Sequence, residues 1–252
     1  MLTVAEYSEW FGCFAPSPDG AIAVIKVVVD ESGTHDKAPC IVVAGVAGET
    51  GDWKQFVRDW SARAATYPKG YHASKAKDKD NKFLAHIVAR WLSGVVLSIS
   101  YDDFRAVVTP RLLSKYGGEY RHAVGMLSLI LKDYAEKTKT RWISWVLERG
   151  HKEQEAVDRY LHLLEENRPD LRIWAHVWAN KEDITTHAAD LSAYAVACAY
   201  GTGTSPLLEI IRQRMLIHQP TRAQLEEIVR RGEAMLQRER RAKAKARAER
   251  KR

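Results

Sequence analysis

Asp30 and Glu148 each follow six or more mostly apolar residues, in Val-Ile-Lys-Val-Val-Val-Asp30 and Trp-Ile-Ser-Trp-Val-Leu-Glu148. Both therefore sit where a buried strand leaves its sheet, and in open α/β sheets ligands gather outside the carboxyl ends of the strands. If the two strands are parallel neighbours, the carboxylates lie side by side, and two carboxylates that close repel unless a cation neutralises them. Hard oxygen donors suit Mg2+ or Mn2+. A further acid comes from Thr185-Thr-His187-Ala-Ala-Asp190-Leu-Ser-Ala-Tyr194. His187 and Asp190 are three residues apart, so they project from one helical face, in the first turn, where Asp also complements the helix dipole. The rest of that helix is apolar or small, which makes it buried, and a buried Asp needs a partner. A metal shared with Asp30 and Glu148 would supply one.

Two accessory candidates flank this set. Glu31 is expected to point to the opposite face from Asp30 by strand alternation, which leaves it a supporting role or a place in a turn with Ser32 and Gly33. His72, in Tyr71-His-Ala-Ser, lies in an irregular segment from which it can approach a substrate. Each residue also has a plainer reading. Asp-Glu-Ser-Gly after a strand makes a good turn, and Glu148-Arg149 suits a strand end with a surface ion pair. Asp190 can be held by backbone amides near its helix start, and a lone histidine such as His187 is more often a satisfied structural group than a ligand.

The elements that must position these residues follow from periodicity. Near-continuous apolar runs predict strands at Ile22–Val29, Ile41–Val46, Val95–Tyr101, Trp142–Leu147 and Arg172–Trp178, as expected where both sheet faces are covered. Amphipathic spacing predicts helices over about 51–65, 78–93, 118–138, 152–167, 185–200 and 205–217. Thr221 with Gln224 three residues on is a capping-box signature for a last helix. The order is that of a mixed α/β sheet of five strands flanked by helices, which is also the ribonuclease H-like order. It divides into an extension over 1–20, a domain over 21–217 with a helical insertion at about 50–93 between the second and third strands, and a basic helical tail over 218–252. Core packing accounts for most of the eight tryptophans.

Composition narrows the partners. The 252 residues include 39 Lys and Arg against 32 Asp and Glu, a net charge of +7. Residues 238–252 alone hold nine Lys and Arg with two Glu, so removing them leaves 30 basic and 30 acidic residues, a balanced body. The excess sits in one tail, where Arg240, Arg241, Lys243, Lys245 and Arg247 are candidate contacts for nucleic-acid phosphates. Three scattered cysteines (Cys13, Cys40, Cys198) argue against a disulfide framework or a zinc cluster and fit a reducing cytoplasm. No apolar stretch approaches membrane-spanning length. The first twenty residues, with Glu6, Glu9 and Asp19 but no Lys or Arg, do not read as a signal peptide. Phosphate-binding Gly-rich loops, G-x-S-x-G and H-E-x-x-H are all missing.

Three blocks carry a family resemblance. Val-Val-Val-Asp30-Glu31-Ser32-Gly33 with Val43-Ala-Gly-Val-Ala, Trp53 and Trp60 resembles the opening of the DUF3800 family. Leu147-Glu148-Arg-Gly150 and His187-Ala-Ala-Asp190-Leu-Ser-Ala-Tyr194 resemble its other two blocks, over roughly residues 24–200. The resemblance implies a ribonuclease H-like fold with a RuvC-like acidic site in which Asp30, Glu148 and Asp190 hold the metal. His187 would then be an accessory ligand or proton carrier, and histidines like His72 occur in relatives. It implies a nuclease that hydrolyses phosphodiester bonds of DNA or RNA with two Mg2+ or Mn2+ ions, Asp30 bridging them, within a phage-defence or mobile-element system. Two other classes stay open: a silent nucleic-acid-binding scaffold subunit of a larger complex on the same fold, and a phosphohydrolase acting on small molecules.

Overall fold

The computed structural model describes residues 24–32, 38–110, 113, 118–137 and 142–230. The valine-rich run before Asp30 becomes β1 (Val24–Ser32), and the run after residue 39 becomes β2 (Cys40–Gly48). Two helices follow, α1 (Thr50–Ala64) and α2 (Asp78–Trp91), before β3 (Ser93–Ser100) and the short α3 (Tyr101–Val107). The chain continues through α4 (Glu119–Lys137), β4 (Trp142–Glu148), α5 (Gln154–Asn167), a 3-10 turn (Pro169–Leu171) and β5 (Ile173–Ala179). It closes with α6 (Thr186–Ala199), α7 (Pro206–Ile211) and β6 (Met215–His218). Residues 222–230 are helical. Their capping box forms, Thr221 N donating to Gln224 Oε1 at 2.8 Å and Gln224 N to Thr221 Oγ1 at 3.3 Å.

The strands lie in the order β5-β4-β1-β2-β3-β6. β2 runs antiparallel to both β1 and β3, while β1 with β4, β4 with β5 and β3 with β6 are parallel. The first five strands in sequence, with the second reversed, are in the ribonuclease H-like arrangement expected from the element order. Each face of the sheet has its own core. Val28, Val146 and the helices α1, α2, α6 and α7 fill one, with Trp60, Phe56 and Leu191 at its centre. Val27, Val29, Leu147 and the helices α3, α4 and α5 fill the other, around Phe104, Leu127 and Leu161.

Three expectations need correction. The sheet has six strands rather than five: the helix expected over 205–217 stops at Ile211, and Met215–His218 pair in parallel with Gly94–Leu97. Met215 is buried and Ile217 packs on the core, while Leu216 between them is 50% exposed, the alternation of an edge strand covered on one side. Tyr101, expected to end the third strand, instead opens α3, whose N-cap Ser100 side chain accepts from the Asp103 amide. Asp30-Glu31-Ser32 is not a turn: Asp30 pairs with Ala44, Glu31 with Val43 and Ser32 with Val42. Ladder bonds to β2 hold these residues extended. The extension over 1–20 and the part of the basic tail beyond residue 230, with Arg240, Arg241, Lys243, Lys245 and Arg247, lie outside the described residues. Among the described residues no helix is long and apolar enough to cross a membrane.

Candidate metal centre

Alternation along β1 places Asp30 on the face that carries Val28, and along β4 it places Glu148 on the face that carries Val146. These strands are parallel neighbours paired through Val29 and Leu147, so the next residue on each is one of the two acids. α6 packs across β1 and β2 on that same face. Its run of alanines permits the close approach, with Ala188, Ala189, Ala193 and Ala195 fully buried, and it delivers Asp190. Asp30, Glu148 and Asp190 are exposed by only 4%, 8% and 5%.

Packing so many acids together is costly unless protons or cations intervene. Burial first, then the charges of Glu31, Glu148 and Asp190, push the Asp30 carboxyl well above the usual carboxylate range. Burial raises Asp190 to about 6, against the opposing pull of the Ala73 amide and Lys181. Glu148 is also raised by burial, a shift opposed by Lys181. Glu31 does not stay apart from this group. Burial brings it to about 7, and it hydrogen-bonds Asp30 and feels the charge of Glu148. Glu31 lines the same cavity as Asp30.

That cavity, about 490 Å³, is lined by Asp30, Glu31 and Glu148 together with Arg149, Lys152 and Lys181. Lys181 Nζ lies 3.0 Å from Glu148 Oε1. Burial would lower the lysine, but Glu148, Asp30 and Asp190 together hold it above its ordinary value. No sequence pattern singles out Lys181. It follows β5 by two residues, and its relevance depends on β5 lying next to β4. Gly70 closes against it: a Cβ there would stand 2.6 Å from the Lys181 carbonyl oxygen, and its φ of +82° suits glycine.

The segment between α1 and α2 fastens the acids from above. The Ala73 amide donates to Asp190 Oδ2 at 2.8 Å, so the backbone amide that holds Asp190 comes from a distant loop rather than from its own helix. His72 Nδ1 lies 3.8 Å from the same oxygen, and its ring is half-buried. Asn81 of α2 steadies this loop, accepting from the Tyr71 hydroxyl and donating to the Ala73 carbonyl at 2.9 Å.

His187 is engaged elsewhere. Trp60 Nε1 donates to its Nδ1 at 3.0 Å, the Tyr71 amide nitrogen lies 3.3 Å from its Nε2, and the ring bonds the Lys181 backbone. A neutral imidazole has one acceptor nitrogen, which the shorter Trp60 contact occupies. Burial drops His187 to about 4, so it is uncharged at neutral pH. It serves as a joint between α1, the 67–77 loop and the turn carrying Lys181. On the other side of the sheet, the Tyr120 hydroxyl is buried without a hydrogen-bond partner among the described residues. Burial and the charges of Glu31, Asp30 and Glu148 suppress its ionisation.

The donor set fits a hard divalent cation. Several buried carboxylates oppose one another's ionisation, and an Mg2+ or Mn2+ ion is the charge that would relieve them.

No protein-family model matches the chain, and no curated protein matches it. The resemblance to the DUF3800 family therefore finds no support beyond the blocks quoted above. Among solved structures, the chain is similar to Bst-RNase HIII in complex with Mn2+, at 16% identity over 88% of this chain and 74% of that one, with a TM-score of 0.46. It is also similar to a mutant protein of Bst-RNase HIII, at 16% identity over 88% and 76% of the two chains, with a TM-score of 0.42.

Proposed function

We propose that the protein is a divalent-metal-dependent nuclease that hydrolyses phosphodiester bonds of DNA or RNA. The observation that carries this reading is the group of buried carboxylates opposing one another's ionisation at a cavity that Arg149, Lys152 and Lys181 also line. In this reading Asp30, Glu148 and Asp190 hold a pair of Mg2+ or Mn2+ ions, with Glu31 beside them. Such ions would lower the pKa of an attacking water and offset the charge that develops on the phosphate.

The chain's own groups supply the rest. Arg149, Lys152 and Lys181 offer positive charge to the phosphates flanking the scissile bond. Lys181 is held ready by Glu148 and is free to exchange that carboxylate for a phosphate oxygen once a cation takes over the neutralisation. The Ala73 amide orients Asp190, and neutral His187 braces the loop that carries Ala73 and His72. In this reading His72, 3.8 Å from Asp190, would exchange a proton with a reacting oxygen, although burial, Lys181 and Lys75 lower its pKa.

The test is cleavage of labelled single- and double-stranded DNA, RNA and hybrid by purified protein with Mg2+ or Mn2+, beside Asp30→Asn and Glu148→Gln. Abolished cleavage in both variants, with calorimetry showing weakened Mn2+ binding, supports the reading. Cleavage that persists in both, or Mn2+ binding they leave unchanged, overturns it. A second reading is favoured by the Lys181–Glu148 contact, which places an ammonium on a carboxylate oxygen a metal would use. It is a nucleic-acid-binding subunit that does not cut, and it predicts retained polymer binding with no cleavage under any ion.

A further inference from the structure

A second cluster of metal-ligating side chains lies on α5 and β5. Asp158, His162 and Glu165 fall at i, i+4 and i+7 on α5, one face of the helix, and His176 of β5 packs against them with a side chain only 3% exposed. One ligand atom from each of Asp158, His162 and His176 lies within 4.8 Å of the others.

The hydrogen bonds divide this cluster into two sides. Glu165 meets both Nδ1 atoms, Oε1 at 2.5 Å from His176 and Oε2 at 3.3 Å from His162. A ring whose Nδ1–H donates to a carboxylate has Nε2 left to act as a ligand. Both Nε2 atoms face Asp158, that of His176 3.0 Å from Oδ1 and that of His162 3.9 Å from Oδ2. Trp178 Nε1 donates to Asp158 Oδ1 at 2.7 Å and so holds that carboxylate in place. Two imidazole nitrogens and a carboxylate that converge in this way are the donor set of a cation site. A carboxylate that binds the distal ring nitrogen is also the usual support for a metal-ligating histidine.

We propose that Asp158, His162 and His176 form a site for a divalent transition-metal ion of the Zn2+ class, with Glu165 fixing both rings and the ion tying edge strand β5 to α5. Two imidazoles and a carboxylate suit such an ion better than Mg2+. With bonds of about 2.0–2.2 Å, tetrahedral donors stand about 3.4 Å apart; one ligand atom each of Asp158, His162 and His176 already lies within 4.8 Å of the others, so a small inward shift of the exposed His162 brings the three to that spacing. The His162 and Asp158 side chains are 62% and 40% exposed, which leaves the outer side open for the ion to enter and for water to complete the shell. The scarcity of cysteines does not bear on this site, which uses none.

Full-length protein stripped with chelator and kept in excess Mg2+ would be titrated with Zn2+ by calorimetry and with Co2+ by visible absorption. One equivalent of Zn2+ per chain is expected, with Co2+ bands typical of nitrogen and oxygen donors. Binding should persist in Asp30→Asn, weaken about 10–100-fold in Glu165→Gln, and be abolished in His162→Gln. Because His162 is exposed, that variant should keep the wild-type circular dichroism. No saturable Zn2+ binding in the wild type, equal binding in His162→Gln, or no binding in Asp30→Asn would each overturn the proposal. The first result would leave a ring proton as the charge among these acceptors.

Discussion

A buried carboxylate is tolerated when something offsets its charge, and at Asp30 the offset within the chain falls short. Lys181 contacts Glu148, and the Ala73 amide serves Asp190, whereas Asp30 faces Glu31, Glu148 and Asp190. Without a divalent ion, Asp30→Asn should therefore stabilise the protein, by about 1–2 kcal/mol, or about 2–6 °C in Tm for a chain of this size. It should also remove most of the Tm increase that Mg2+ or Mn2+ gives the wild type. Thermal unfolding with chelator and with each ion checks both, and a destabilised variant would show that Asp30 is already satisfied. The pH dependence has a definite sign. Asp190 at about 6 and Glu31 at about 7 lie above their ordinary values, so in this window the folded state binds more protons than the unfolded one. Their stabilising contribution is complete below the unfolded values and disappears as pH rises through about 6–7. In chelator the wild-type Tm should fall across that range relative to Asp30→Asn, and saturating Mn2+ should flatten the difference.

At the scale of elements, the site depends on how closely backbones approach. α6 lies against β1 and β2 because most of the side chains between them are alanines. β3 sits against β2 with similar tightness at Gly94, where a Cβ would stand 2.2 Å from the Gly45 carbonyl oxygen. The obstacle is backbone in the middle of the sheet, so no side-chain rotation relieves it. Gly94→Ala should cost about 1–3 kcal/mol or more, read as a lower denaturant midpoint. A cost near zero would mean that β2 and β3 can separate locally. The 67–77 loop works in the same way. Its amides reach Asp190 and His187, and Gly70 rests on the Lys181 backbone, so one loop aligns an acid, a brace and a cation together.

Charge is the property of the whole molecule that bears on its partner. The body is balanced and the surplus of +7 lies in residues 238–252. If that segment meets phosphates, truncation after Leu236 should weaken polymer binding at low salt. It should also reduce the slope of log K against log salt by about 0.9 for each duplex phosphate that the tail neutralises. Binding measured from about 50 to 200 mM salt checks this, and an unchanged slope would exclude the tail from the interface. Cleavage of a small phosphodiester by the truncated chain at the full rate would assign the tail to substrate capture rather than to chemistry.

Local patterns in the sequence determined most of the elements. The valine runs of β1 and β4, the amphipathic helices and the alanine-rich α6 each declare themselves within about fifteen residues, because burial acts through period and alternation. The same runs place Asp30 and Glu148 at strand ends in advance, but side by side only on the condition, met in the fold, that β1 and β4 are parallel neighbours. Alternation does not keep Glu31 from lining the same cavity as Asp30, and it misses β6, where Met-Leu-Ile continues a helix's apolar pattern for too few residues to reveal a change of period. Asp30 reads as the start of a turn until pairing with β2 holds it extended. Lys181 and His176 carry no local signal. Each matters because β5 lies beside β4 and beneath α5, and which strand neighbours which is set by long-range packing of two cores rather than by any window of sequence. Sequence determined which acids would be buried, and tertiary structure decided which charges they would meet there, since Coulomb interactions and hydrogen bonds depend on distance in space.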